Sequence, residues 1–185
     1  GAGDWTTNWL ENGESDGSNS GDMRVIADGA GDNLVLQTKK KNKWMTRKAD
    51  LTGAAFAIFS VDFRRTEEIK TGEFVLLRIS ADGGTTWPIS QQITGPQQST
   101  YETIQFNISS LLDGTDSNFM VSLGGDSAQT GDDKTVYWDN VKFEYGPLET
   151  EYKVDWKTTL ASDVTVPSGE AITLEITESL APNSP

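Results

Sequence analysis

Apolar and polar positions alternate with a period of two along most of the chain. The alternation breaks at clusters of Gly, Asp, Asn and Ser, and no segment of helical length keeps apolar residues three and four apart. The pattern predicts strands at Trp5–Leu10, Met23–Asp28, Leu34–Lys39, Trp44–Lys48, Ala54–Arg65, Glu73–Ser80, Trp87–Ile93, Tyr101–Ile108, Phe119–Gly124 and Thr135–Tyr145. The turn sequences DGAGDN, TGEF, DGGT and GTDSN separate several of them at the spacing of a sandwich. The expected fold class is all-β, an antiparallel two-sheet β-sandwich. AAFAIFSVDF and EFVLLRIS, apolar on both faces for much of their length, are expected to be central strands.

The pattern changes after Tyr145. GPLETE reads as a linker, and the tail beyond it offers two short strand-like runs, YKVDW and AITLEIT, before the breakers of APNSP. The division expected is a sandwich over residues 1–146 and a strand-bearing tail over residues 147–185. The tail is too short to bury a core of its own. Ile172, Leu174 and Ile176 share one face of AITLEIT, a pattern suited to addition at an exposed sheet edge of its own or a neighbouring sandwich.

Composition narrows the chemistry. With 185 residues the chain can fill one main core. A net charge of −13 repels polyanions and disfavours nucleic acid and anionic lipid as partners. No apolar run approaches the roughly 20 residues of a membrane helix, so no membrane insertion is expected. No signal-like segment precedes Gly1, so a secreted chain is expected to be already mature. Histidine and cysteine are both absent. That excludes Ser-His-Asp and Cys-His nucleophile systems, His-ligated zinc and disulfides. Catalysis would rest on carboxylates, Lys or Tyr, and no carboxylate pair is singled out, so the chain is expected not to be an enzyme.

The candidate sites follow from the strands. In VYWDNVKFEY, strict alternation places Tyr137, Asp139, Val141, Phe143 and Tyr145 on one face and Val136, Trp138, Asn140, Lys142 and Glu144 on the other. Asp139 thus points with the aromatics, where a carboxylate needs a cation or several donors. Ca²⁺ is one candidate, with Glu11, Asp16 and Asp22 and loop carbonyls as companion ligands, Asp132 and Asp133 competing; backbone amides or an Arg are the alternative. KKKNKWMTRK gathers Lys40, Lys41 and Lys43 in an otherwise acidic chain. Such a run is usually a solvated loop, but here it could also meet an acidic polysaccharide or a neighbouring copy. Trp44 and Trp138 are the tryptophans placed best to contact a ligand. SADGGTTW fits the S-x-D-x-G-x-T-W pattern known as the Asp box, whose role is to stabilise a turn.

From GDWTTNWLENGESDG through GDMRVIADG, RKADLTGAAFAIFSVDFRR, SADGGTTW and VYWDNVKFEY, the order of motifs resembles the MAM-like jelly-roll modules of bacterial surface proteins, adhesins and secreted hydrolases. Its wider relatives include jelly-roll carbohydrate-binding modules. The resemblance implies a structural Ca²⁺ tied to Asp139, and an edge position left vacant because almost nothing precedes GDWTTNW. The expected function is a calcium-stabilised, extracellular or cell-surface module for adhesion or self-assembly, with copies of itself or other surface proteins as partners. The alternative is a carbohydrate-binding module accompanying a polysaccharide-degrading enzyme.

Overall fold

The computed structural model describes residues 4–17, 19–28, 33–70, 72–125 and 134–147. They form an antiparallel β-sandwich of the jelly-roll type. The strands are β1 (Asp4–Trp5), β2 (Leu10–Asn12), β3 (Met23–Ala27), β4 (Leu34–Thr38), β5 (Trp44–Asp50), β6 (Phe56–Arg65), β7 (Val75–Ser80), β8 (Ile89–Ile93), β9 (Gln98–Asn107), β10 (Phe119–Gly124) and β11 (Val136–Gly146). One sheet runs β1-β5-β10-β7-β8, with β2 also lying on β5; the five-stranded sheet runs β3-β4-β11-β6-β9. The two apolar runs expected to be central, β6 and β7, lie inside their sheets, between β11 and β9 and between β10 and β8. Backbone contacts divide the chain between Glu149 and Thr150. The tail from residue 148, with Ile172, Leu174 and Ile176, lies outside the described residues, as do Asp132 and Asp133.

The inward positions of each strand make one core. Phe59, Val61 and Phe63 of β6, Leu77 and Ile79 of β7, and Phe119, Val121 and Leu123 of β10 all contribute to it. Phe143 of β11 stacks at 5.0 Å on Phe59 and 5.4 Å on Trp5. At the end of β6 the inward position is Arg65, buried, with its guanidinium donating to the carbonyls of Thr94 and Pro96. The predicted strand Trp5–Leu10 is instead two short pieces. Between them the Thr7 hydroxyl accepts the Lys48 N–H and the Arg47 Nε–H donates to the Thr7 carbonyl, so side chains replace ladder bonds and the chain leaves the sheet.

The strand expected to bury Asp139 is also interrupted. Asp139 pairs with Asp62 and Lys142 with Ser60, so two residues of β11 oppose the single Val61 of β6. This β-bulge, with Asn140 at φ 48°, reverses the facing of the strand. Before it Val136 and Trp138 point inward; after it Phe143 does, with Val141 and Tyr145 packing against the core. Asp139, expected on the buried face, therefore points outward and is only partly buried.

Candidate functional site: the polar face of the five-stranded sheet

Register places the outward residues of this sheet in rungs, because directly paired residues share a face. Arg24 pairs with Gln37, Gln37 with Tyr137, and Tyr137 with Arg64, a rung that crosses four strands. Tyr101 of β9 extends it, with the Arg64 guanidinium 5.6 Å from its ring and 4.1 Å from that of Tyr137. The next rung is Asp139, Asp62 and Thr103; the one after it is Lys142, Ser60 and Gln105.

Two carboxylates order this face. Asp28 accepts the Tyr101 hydroxyl at 2.5 Å and the Arg64 guanidinium at 2.6 and 3.2 Å. Arg64, then Tyr101, hold the Asp28 carboxyl below the usual range. Burial, then the hydrogen bond to Asp28, pushes the Tyr101 phenol up to about 12, so it remains a donor at neutral pH. Asp62 accepts Thr103 Oγ1 at 2.5 Å and Asn140 Nδ2 at 2.7 Å, which draws the bulge over the sheet. Both carboxylates are thus held in place with each of their oxygens accepting at least one hydrogen bond.

A groove of about 480 Å³ lies on this face, lined by Ser60, Asp62, Thr103, Gln105, Asn140, Val141 and Lys142. Ser60 is 3% exposed, and its hydroxyl has no hydrogen-bond partner among the described residues. The same holds for the buried Nε of Arg24 on the Tyr137 rung. A buried polar atom without a partner costs about 1–3 kcal/mol, so these two invite a polar ligand or water.

The residues singled out from sequence fall elsewhere. Trp138, expected to face a ligand, is fully buried, and its indole N–H donates to Thr38 Oγ1 at 2.8 Å; the bulge is the physical reason. Trp44 is half-buried on the opposite sheet, one residue from Lys43. Lys40 and Lys43 fold onto Asp22, with Nζ at 3.6 and 2.6 Å, and Lys41 is exposed. Glu11 and Asp16 do come together, but with Glu14, to within 4.8 Å. Neither Asp139 nor Asp22 joins that group. Asp139 accepts Asn33 Nδ2 at 3.2 Å and the Asn140 N–H at 2.7 Å. The four carboxylates expected around a calcium ion are therefore not assembled as one group: Glu11 and Asp16 meet with Glu14, and Asp22 and Asp139 stand outside it.

Sequence reading missed Ser60, Asp62, Arg64, Tyr101, Thr103 and Gln105. The signal was present as period two: S-x-D-x-R in β6 and Y-x-T-x-Q in β9. It was masked in β6 because most of the surrounding residues are apolar.

No family model matches the chain, and no curated protein does. Among solved structures, a CBM4 structure is 15% identical at a TM-score of 0.47, covering 75% of this chain and 86% of its own. The CBM22-1 xylan-binding domain from Paenibacillus barcinonensis is 13% identical at 0.44, covering 79% and 97%. A cleaved adhesin domain of Lys-gingipain from Porphyromonas gingivalis is 9% identical at 0.47, covering 77% and 97%. These are similarities of sandwich architecture. Among the described residues no helix is long and apolar enough to cross a membrane.

Proposed function

We propose that this protein is a non-catalytic, extracellular carbohydrate-binding module that takes a neutral polysaccharide chain across the outer face of its five-stranded sheet. The observation that carries this reading is the groove over the unpartnered, buried Ser60 hydroxyl, continued by the Arg24–Gln37–Tyr137–Arg64 rung. Sugar hydroxyls both donate and accept. The face offers them acceptors in Asp62 and Asp139, donors in Arg24 and Arg64, and the amide of Gln105, which does both. Tyr101 and Tyr137 add apolar ring surface for the C–H face of a pyranose. A nucleic acid or anionic lipid would meet Asp62, Asp139 and Glu144 on this face, which disfavours both.

Adhesion or self-assembly, the function first expected from the motif order, rests on Ile172, Leu174 and Ile176, and no contact among the described residues favours it. The test is affinity electrophoresis of the whole chain through a panel of neutral soluble polysaccharides. At least one should retard it. Asp62→Ala and Tyr137→Ala should each weaken retention roughly tenfold, about 1.4 kcal/mol, while Trp44→Ala on the opposite sheet leaves it unchanged. Retention by no polysaccharide, or retention indifferent to Asp62 and Tyr137, would overturn the reading.

A further inference from the structure

We infer that the ammonium of Lys43 is the resident cation of the loop joining β2 to β3, in the place where a divalent metal ion was expected. Glu11, Glu14 and Asp16 come together here, and Asp22 joins Glu14 through its own N–H and through the ammonium of Lys43. A cation is needed there, and the turn before β5 supplies it. Lys40 and Asn42 both adopt left-handed backbone angles, φ 70° and 58°. Gly13 packs so closely under this turn that a Cβ would strike the Asn42 carbonyl oxygen. That close approach sets Lys43 against the loop. Its Nζ lies 2.6 Å from Glu14 Oε2 and 2.6 Å from Asp22 Oδ2.

The pair of carboxylates is committed to this ammonium. The Glu14 side chain is 8% exposed, that of Asp22 17% and that of Lys43 24%. The other oxygen of Glu14 accepts the backbone N–H groups of Asp22 and Met23. Lys40 adds a second positive charge 3.6 Å from Asp22. Glu11 Oε2 accepts the Gly17 N–H. A calcium ion takes about six to eight oxygens at 2.3–2.6 Å. It would have to win Glu14 from an ammonium and two amides, with that ammonium as its like-charged neighbour. The ammonium instead needs only the few acceptors it has. Lys43 shifts upward through Asp22 and Glu14, and Asp22 shifts downward through Lys43 and Lys40 against the effect of burial, the sense expected of a mutually stabilised pair.

The inference is independent of glycan binding and is tested by thermal unfolding of the whole chain in excess chelator and in millimolar Ca²⁺. The wild-type Tm should be the same in both. Lys43→Met, which leaves the two carboxylates without their cation, should lower Tm in chelator by at least about 5 °C and recover part of that loss in Ca²⁺. Lys43→Arg should retain the wild-type insensitivity. A wild-type Tm that rises with Ca²⁺, and no longer does so in Glu14→Gln, would overturn the inference. So would a Lys43→Met protein with wild-type Tm and no calcium response. If Lys43→Met does not fold, Ca²⁺ titration calorimetry of the wild type decides: no saturable heat supports the inference, and saturable binding lost in Glu14→Gln overturns it.

Discussion

At the scale of the residue, Trp138 and Asp82 show how a side chain's partner determines what its substitution costs. The Trp138 indole N–H and the Thr38 hydroxyl meet at 2.8 Å where both residues are at most 1% exposed. Thr38→Val keeps the shape but strands the indole donor. The expected loss is about 1–3 kcal/mol, read from urea unfolding, with polysaccharide retention unchanged because Trp138 faces the core. A loss within error of zero would mean that the bond contributes nothing net. Asp82, in the turn after β7, accepts the Thr86 N–H at 2.8 Å, Thr86 Oγ1 at 2.7 Å and Ser80 Oγ at 2.7 Å. Those bonds, led by the Thr86 amide, lower its carboxyl from 3.8 to about 2. A depressed folded value stabilises the fold in full above 3.8, and the contribution fades as pH falls through about 2. Asp82→Asn should therefore lose less stability than wild type across that window, measured as urea midpoints on either side of it. An acid limb of equal steepness would contradict the assignment. The role of Asp82 was legible in SADGGTTW, because the turn is local and its donors lie within four residues. The role of Thr38 was not, because its partner is a hundred residues away.

At the scale of the element, alternation located the strands well, since facing is a local property that each strand repeats. It failed at two places where the chain departs from strict period two. One is the break at Thr7. The other is the bulge at Asn140, a single extra residue that moved Trp138 inward and Asp139 outward. An apolar-polar string cannot distinguish a continuous strand from one with an inserted residue when aromatics stand on both faces, as in VYWDNVKFEY. The left-handed angle of Asn140, φ 48°, is the physical mark of that insertion, and Asn is one of the few side chains that accept it. Asn140→Gly should keep stability close to wild type while weakening polysaccharide retention, because Asp62 loses its donor at 2.7 Å. Asn140→Val, β-branched in a left-handed position, should cost about 1–2 kcal/mol or more, seen in urea unfolding. Equal stability of the two variants would remove the bulge as the device that sets the facing of β11. The same bulge carries Asn140 over Asp62, so the element that misled the sequence reading of Asp139 also builds the groove.

At the scale of the molecule, core and polar face belong to the same stretch of chain. The core residues run from Met23 to Phe143, and the rungs of the five-stranded sheet from Arg24 to Lys142. Both lie within the unit that ends at Glu149. A domain of this length can bury enough surface to fold alone, since chains of about 150 residues bury roughly two thirds of what they expose when unfolded. Removal of residues 150–185 should therefore leave a cooperatively folding protein with a urea midpoint close to that of the whole chain. It should also retain the same polysaccharides with the same dependence on Asp62 and Tyr137. This experiment separates the two functions read from the motifs. If the truncated chain folds and binds glycan but a larger species formed by the whole chain disappears, the tail bearing Ile172, Leu174 and Ile176 serves assembly, and the sandwich serves recognition. If the truncated chain folds but no longer binds, the groove over Ser60 is insufficient and the face proposed here is wrong. Salt provides an internal control on the same samples. The ligand proposed is neutral, so retention should vary little with ionic strength despite a net charge of −13, whereas capture of a charged polymer would weaken steeply as salt screens it.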